Sequence, residues 1–183
     1  MLRKALLLSA VFFLLSPILF LHAEKLESPT RGFSISPSKE WVELPVSFQG
    51  VVASYAKKES VATFHIKERD LEGPKTIDQL SWESLFSPEF GSINIHSQNT
   101  TFLGGEKAKF CVYTLKPGEF KKTMEGKLSG KYINYVLIHQ GKLFSITFMD
   151  REEGFALNYP SFLATIRTLR FDDVQPVSQR KPL

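Results

Sequence analysis

The sequence predicts an α+β fold, in which an antiparallel β-sheet built from hairpins carries helices on both faces, as an α/β/α sandwich. Three observations support this prediction. Apolar and polar residues alternate on both sides of several turn signals, which is the pattern of β-hairpins. Two segments combine a helix-capping residue with apolar residues at helical spacing. No repeat, low-complexity stretch or Pro/Gly-rich linker divides residues 32–171, so these residues predict a single domain.

The first 23 residues have the organisation of a cleavable signal peptide. Two basic residues precede an apolar run over residues 5–21, and the small residue Ala23 stands just before the charged Glu24. A run of about 17 apolar residues is also the lower limit for a membrane-spanning helix, so an uncleaved anchor is the alternative. We expect export with removal of residues 1–23, and a mature form that does not span a membrane.

The two ends of the remaining chain are polar. Residues 24–31 form a polar lead-in and residues 172–183 form a polar tail, and neither shows apolar periodicity. We expect both to be poorly ordered. Removal of residues 1–23 takes two basic residues away and lowers the formal net charge from +4 to +2. A charge this small gives no reason to expect a nucleic-acid partner.

The first predicted hairpin turns at Lys58–Glu59. With a two-residue loop there, Lys57 opposes Ser60, and alternate residues of both strands share one face. All of these side chains are apolar or aromatic: Val51, Ala53, Tyr55, Ala62, Phe64 and Ile66. Because strand side chains alternate with a period of two, a slip by one residue would scatter the set. The match therefore supports the hairpin.

A helix is predicted after this hairpin. Thr76 and Gln79 have the spacing of a capping box, in which the two side chains satisfy free amides of the first helical turn. Ile77, Leu80 and Leu85 follow at helical spacing, and the Ser-Pro pair at 87–88 ends the helix.

Two further hairpins follow. The first turns at Gly104–Gly105 and pairs residues 93–103 with 106–116, although neither face is cleanly apolar. The second turns at Gln140–Gly141 and places six apolar or aromatic side chains on one face: Ile133, Tyr135, Leu137, Phe144, Ile146 and Phe148. Its reverse face also carries large apolar side chains, among them Tyr132, Val136 and Met149. The sequence therefore predicts that a second layer covers this reverse face.

The last predicted element is a helix that starts after Asp150. Pro160 lies too deep for an unbroken helix, because its ring removes a backbone hydrogen bond and clashes with the preceding turn. We expect a break near Asn158, with Pro160 in the first turn of a second segment. That segment buries four apolar residues: Phe162, Leu163, Ile166 and Leu169.

Landmark positions are spread over residues 31–171. They are Gly32–Ile35, Trp41, the capped helix after Thr76, Tyr135–Leu137, Gly141–Phe144, Phe155, Pro160, Phe162, Ile166 and Thr168–Phe171. Their order resembles the PsbP-like family, which includes the extrinsic PsbP subunit of the oxygen-evolving complex and bacterial DcrB-like exported proteins. The resemblance implies an antiparallel sheet between helical layers and a non-enzymatic accessory or binding protein. It transfers no catalytic residue.

The chain departs from both named relatives at its start. It lacks the long Ser- and Arg-rich transit peptide of a plastid protein, and no cysteine follows the apolar run to carry a DcrB-like lipid anchor. We therefore expect a bacterial periplasmic or extracellular protein rather than a photosynthetic one.

The single cysteine, Cys111, has no partner for an internal disulfide. In the hairpin at Gly104–Gly105 it opposes Gln98, and His96 opposes Tyr113, which makes the thiol and the imidazole diagonal neighbours. A Cys–His dyad also needs an oxyanion site, and no Gly-rich elbow stands near Cys111. A small buried residue is the favoured interpretation, and an enzyme is not expected.

The histidines give no metal signature. His65, His96 and His139 lie on different predicted strands and lack the paired spacing of zinc ligands. Glycine-rich phosphate loops are likewise missing from the sequence. We expect no metal and no cofactor.

The connection from Pro117 to Gly130 is the predicted docking loop. It is longer than a hairpin requires, and it combines basic with large apolar side chains: Phe120, Lys121, Lys122, Met124 and Lys127. Long loops in compact domains are either functional or mobile. In a docking loop the apolar residues would anchor an envelope protein, while the lysines would steer approach or contact an anionic surface weakly.

These observations predict an exported, non-catalytic accessory or protein-binding domain of the cell envelope. The alternative is a small-ligand or lipid carrier that uses the second apolar sheet face. A carrier needs a closed apolar cavity of at least roughly 300 Å³, which a packed accessory domain does not.

Overall fold

The computed structural model describes residues 26–27, 32–46, 48–73, 75–86, 93–115 and 130–172. The predicted signal peptide over residues 1–23, the docking-loop residues Phe120 to Lys127 and the tail beyond Asp172 lie outside the described residues.

An antiparallel sheet of seven strands forms the body of the fold, in the order β3-β4-β5-β9-β8-β7-β6. Its strands are β3 (Trp41–Glu43), β4 (Val51–Lys57), β5 (Thr63–Asp70), β6 (Ile93–Leu103), β7 (Glu106–Leu115), β8 (Gly130–His139) and β9 (Lys142–Arg151). A small sheet has the order β1-β2-β10 and consists of β1 (Leu26–Glu27), β2 (Phe33–Ile35) and β10 (Arg170–Phe171). Leu26 and Glu27, in the predicted lead-in, thus form a short strand.

The two faces of the main sheet are covered differently. Helix α2 (Glu152–Ile166) packs on one face together with the small sheet, and this side is called the core face. The reverse face is covered over β7 and β8 by the segment 71–86. That segment contains a 3-10 helix (Ile77–Gln79) and the single-turn helix α1 (Trp82–Leu85). The α+β class is confirmed, but the prediction of helices flanking both faces is wrong.

The predicted helix after Thr76 is shorter because the backbone leaves the helical region at Leu80 (φ −88°, ψ 122°). The Gln79 side chain does accept a hydrogen bond from the Thr76 amide at 2.8 Å, as a capping box requires. Helix α1 then starts again from Ser81, whose Oγ accepts from the Ser84 amide at 3.2 Å. Two polar caps within six residues therefore give two short turns instead of one helix.

The hairpin at Gln140–Gly141 has the predicted register. Ile133 pairs with Phe148, Tyr135 with Ile146, and Leu137 with Phe144. Both turn residues have positive φ, 48° and 78°, as a type I′ turn requires. All six paired side chains are buried on the core face.

The hairpin between β4 and β5 keeps most of its predicted face but not its register. Tyr55 pairs with Phe64 and Ala53 with Ile66, a shift of two residues from the predicted pairing. The loop is longer than two residues, because Lys57 N–H donates to the Ala62 carbonyl at 2.9 Å. A two-residue I′ turn needs positive φ at both central positions, and of Lys58 and Glu59 only Glu59 adopts it, at 55°. A shift by two keeps five of the six predicted side chains on the core face. Val51 is the exception, because a bulge between Val51 and Ala53 pairs it with Lys67, and Val52 packs against the core instead.

Helix α2 is continuous, so the predicted break near Asn158 is wrong. Pro160 lies inside the helix on its exposed side, while Asn158 is buried on the opposite side and hydrogen-bonded. Phe162 and Ile166 are buried as predicted, and so is Leu169 just after the helix. Tertiary contacts on the buried side therefore keep the helix continuous past Pro160.

The core between the main sheet and α2 is largely aromatic. Phe148 stacks on Phe162 with ring centroids 4.7 Å apart, and Tyr55 stacks on Phe64 at 4.6 Å. Among the described helices, none has the length and apolar composition needed to cross a membrane.

Candidate functional site

The structure separates the predicted thiol and imidazole neighbours. Cys111 pairs with Gln98 as predicted, but a bulge between Ile95 and Ser97 leaves Tyr113 opposite Ile95. His96 is exposed, and its Nε2 lies 3.1 Å from Thr114 Oγ1. Cys111 is fully buried, and burial raises the pKa of its thiol to about 12. A thiol with this pKa is protonated at neutral pH, so this geometry does not provide a nucleophile.

The histidines remain apart as well. His139 Nδ1 lies 2.8 Å from Glu106 Oε1, and its ring stacks on Phe171 at 4.2 Å. His65 lies on the reverse face of β5, and three strands separate β5 from β6. Within the described part of the chain, no group of three or more His, Cys, Asp or Glu side chains is placed to hold a metal ion.

An open groove of about 570 Å³ lies where the start of α2 meets the turn between β4 and β5. Its lining residues are Glu59, Ser60, Val61, Asp150, Arg151, Glu153, Gly154 and Asn158. All but Val61 and Gly154 are polar or charged, and the groove is open to solvent. A lipid carrier needs a closed apolar cavity, and this open, polar groove is not one.

A chain of polar contacts forms the floor of this groove. Asn158 Nδ2 donates to Asp150 Oδ2 at 2.7 Å and to Ser60 Oγ at 3.1 Å. Lys57 Nζ donates to Asn158 Oδ1 at 2.8 Å and lies 3.5 Å from Glu40 Oε2. These bonds connect α2 to β9, to the β4–β5 turn and to the start of β3, so their first effect is to position the helix.

The same chain of contacts continues along α2. Ser161 Oγ donates to Glu40 Oε2 at 2.9 Å and accepts from Trp41 Nε1 at 3.1 Å. The hydrogen bond from Ser161, followed by the charge of Lys57, lowers the pKa of Glu40. No histidine or cysteine stands among the groove-lining residues, so the described groove has hydrogen-bonding groups but no activated nucleophile.

The reverse face has an apolar half and a polar half. Under the segment 71–86 lie Cys111, Tyr113, Tyr132, Val136 and Leu143, all buried. A polar row crosses the middle of the sheet through the register Ser54–His65–Thr147–Asn134. Asn134 Oδ1 accepts from Ser145 Oγ at 2.9 Å. Tyr132 and Val136, which the carrier hypothesis placed along a pocket, are instead packed against the covering segment.

His65 is the unusual member of this polar row. It lies between Ser54 and Thr147 on neighbouring strands. Burial, with a smaller effect from Lys67, lowers its pKa to about 4, so the ring is neutral at physiological pH. Its imidazole makes no hydrogen bond within the residues that the structure describes.

An apolar stripe lies along edge strand β3 and the segment after it. Val42, Leu44, Val46 and Phe48 have exposed fractions of 44%, 36%, 42% and 76%. The Leu44 amide donates to the Ser54 carbonyl at 2.8 Å, so the strand pairing continues past β3. The alternation of this stripe is visible in the sequence, but it resembles the pattern of a buried strand. Its exposure follows from its place on the reverse face, where the described covering segment lies over β7 and β8 and not over β3.

No family model matches the chain, and no curated protein matches it by sequence. Solved structures do share its fold. Cyanobacterial PsbP (CyanoP) from Synechocystis sp. PCC 6803 superimposes with a TM-score of 0.60 at 11% identity, over 80% of this chain and 91% of that one. The Ran-binding protein Mog1p of Saccharomyces cerevisiae gives 0.55 at 7% identity, over 78% and 91%.

A third similar structure is LpqN, a protein involved in cell envelope biogenesis of Mycobacterium tuberculosis. It superimposes with a TM-score of 0.53 at 14% identity, over 76% of this chain and 83% of that one. At these identities the likeness concerns the fold alone. The chain has the PsbP-like fold that its landmark residues suggested.

Proposed function

We propose that this protein is an exported, non-catalytic domain of PsbP-like fold that binds another protein of the cell envelope. The observation that carries the proposal is the apolar stripe, defined above as Val42, Leu44, Val46 and Phe48. Large contiguous apolar patches are uncommon on folded monomers, and where they occur they mark interaction sites. LpqN, which shares the fold, is involved in cell envelope biogenesis, and this agrees with a role in the envelope.

The stripe has the features of a protein-binding surface. Phe48 is the largest and most exposed of its side chains and would act as the anchor that a partner buries. The reverse face also offers Ser54, Thr63 and Thr147, which are partly exposed and provide hydrogen-bonding groups on the same face of the sheet as Val42. Apolar anchors surrounded by polar groups are the usual anatomy of such interfaces.

The test is capture of envelope proteins by the protein as recovered from its native host. Phe48→Ser should weaken capture by about 30-fold, which corresponds to about 2 kcal/mol for a central anchor. The matched control is Leu157→Ser on α2, since Leu157 is 78% exposed and lies away from the stripe. Equal capture by both variants and the wild type would show that the apolar stripe does not contact the partner. Intact mass of the same preparation checks whether residues 1–23 are absent.

The loop from Pro117 to Gly130 is proposed as a second contact with the same partner. Phe120 and Met124 would add apolar anchors, and Lys121 and Lys122 would accelerate association. Phe120→Ala should weaken capture without lowering the thermal midpoint. A loss of more than about 2 kcal/mol of stability would instead make Phe120 a packing residue.

A small-ligand carrier is the second candidate, and His65 is the observation that favours it. A neutral, half-buried imidazole beside two hydroxyl side chains can satisfy its hydrogen-bonding groups with a small polar ligand. Native mass spectrometry of the protein from its host should then show a retained small molecule that His65→Phe loses. A wild-type mass without any adduct would reject the carrier.

A further inference from the structure

The outer edge of β6 is a long edge of the main sheet, unpaired among the described residues. β6 is an end strand of eleven residues, and no other described strand pairs with its outer side. Residues 94–100 are all exposed. An end strand exposes a row of backbone N–H and C=O groups that can pair with another strand.

The turn geometry shows which residues direct their backbone groups outward. The two-residue turn at Gly104–Gly105, with φ of 60° and 89°, makes Leu103 and Glu106 the closing hydrogen-bonded pair. Hydrogen-bonding direction alternates along a strand, so Gln98, Thr100 and Phe102 point their backbone groups away from β7. In agreement, the Thr100 amide bonds locally, donating to Asn99 Oδ1 at 2.8 Å.

The opposite edge of the sheet is protected in the usual ways, and β6 is not. Strand β3 has three residues, Pro45 follows it, and the Trp41 amide already donates to the Ser38 carbonyl at 3.0 Å. Residues 93–103 include no proline and no charged side chain. The bulge between Ile95 and Ser97 interrupts only the first part of the strand. Edge protection by short length, proline or charge is therefore missing over residues 97–103.

We propose that β6 pairs antiparallel with β6 of a second copy of this chain. A two-fold axis at Thr100 places Thr100 opposite itself and Gln98 opposite Phe102 of the partner copy. This register pairs all three outward-directed residues of each copy with outward-directed residues of the other. Because the strand is uncharged, self-pairing brings no like charges together. The two seven-stranded sheets become one continuous sheet.

The test is the concentration dependence of mass in sedimentation velocity, with protein purified from the native host. Wild type should shift from monomer to dimer as concentration rises. Thr100→Pro removes an outward N–H from each copy and should raise the dissociation constant by roughly tenfold or more. Gln98→Lys should act in the same direction without changing backbone geometry. The control is Leu157→Lys, which adds the same charge to an exposed site on α2.

A monomeric wild type at all concentrations, or dimers equally stable in the two edge variants and the control, would overturn the proposal. Cross-linking tests the register independently. Thr100→Cys should form a disulfide-linked dimer on oxidation, whereas Asn94→Cys, exposed on the same strand, should not. The native Cys111 is buried and does not compete. These readouts need no partner protein, so their outcome is separate from that of the capture experiment.

Discussion

His65 shows how the environment of a single side chain sets a measurable property of the molecule. Its strand neighbours are Ser54 and Thr147, and the charge of Lys67 lies nearby on the same strand. None of these groups stabilises an imidazolium ion. Burial is the larger cause and Lys67 the smaller cause of a pKa near 4, against an ordinary value near 6.5.

This pKa predicts how stability depends on pH. Between pH 6.5 and about 4 the unfolded chain binds a proton at His65 that the folded chain does not, so stability increases with pH across this window. The effect is about 1.4 kcal/mol per pH unit and approaches about 3 kcal/mol between pH 7 and pH 4. His65→Gln should remove it, so denaturant titrations at several pH values should give a flatter profile for the variant than for wild type.

The control for this prediction is His96→Gln, because His96 is exposed. The slope that His65 contributes should remain in this variant, since His65 and the carboxylates that also titrate in this range are unchanged. A His65→Gln profile parallel to the wild-type profile would mean that His65 titrates alike in the folded and unfolded states.

At the scale of elements, α2 is positioned by polar contacts as well as by its apolar face. Asp150 is buried just before the helix, where it accepts from the Arg151 amide at 2.7 Å and from Asn158. A carboxylate at a helix start also interacts favourably with the helix dipole. Gly154 makes room for it, because a Cβ at that position would lie 2.8 Å from Asp150 Oδ2.

We expect Gly154→Ala to destabilise the protein although alanine is the better helix former. The gain in helix propensity is about 1 kcal/mol, and displacing Asp150 from its two hydrogen bonds costs more, for a net loss of about 1–2 kcal/mol. Equilibrium unfolding in urea measures it. Ala164→Gly, at an exposed site of the same helix, calibrates the propensity difference. If Gly154→Ala instead increases the free energy of unfolding, the Asp150 carboxylate keeps its hydrogen bonds beside a Cβ at position 154.

The elements that could be predicted from sequence are those with local causes. The register of β8 and β9 follows from Gln140–Gly141, because a type I′ turn fixes the pairing on both sides. The continuity of α2 through Pro160 could not be predicted. Asn158 is held by Ser60 and Lys57, which are distant in sequence and become neighbours only in the fold. The two-residue shift of the first hairpin could not be predicted either. Lys58–Glu59 carries no strong turn signal, so no local feature fixes the register there.

The candidate site was predictable only in part for a related reason. The alternation of Val42, Leu44 and Val46 is present in the sequence, yet an alternating strand is normally half buried. Its exposure depends on which part of the reverse face is covered, and the described covering segment lies over β7 and β8. Trp41, on the same strand but on the core face, is buried. The separation of His96 from Cys111 likewise depends on the bulge between Ile95 and Ser97, for which the neighbouring residues give no sequence signal.

At the scale of the whole molecule, the small sheet joins the two ends of the described chain. β2 lies between β1 and β10, and the Asp172 amide donates to the Gly32 carbonyl at 3.0 Å. Phe171 connects this sheet to the main one. Its ring stacks on His139 at 4.2 Å and meets Phe144 edge-on at 5.0 Å. The sheet and α2 therefore close the core face together.

This arrangement predicts that Phe171 stabilises the whole domain despite its place near the end of the chain. Phe171→Ala should lower the free energy of unfolding by about 2 kcal/mol, less than for a fully buried ring because Phe171 is only partly buried. Urea unfolding of the variant measures the loss. Phe48→Ala is the matched control, because its ring is 76% exposed and its removal should change stability by less than about 0.5 kcal/mol.

A double-mutant cycle with Gly104 tests whether Phe171 stabilises the domain by packing over the β6–β7 turn. A Cβ at Gly104 would lie 2.8 Å from the Phe171 ring, and the positive φ of 60° adds backbone strain that is independent of Phe171. Gly104→Ala should therefore cost less in the Phe171→Ala background than in wild type, with a coupling of about 1 kcal/mol. Additive losses would show that the ring does not pack over the β6–β7 turn, and the small sheet would then contribute to stability only through its own hydrogen bonds.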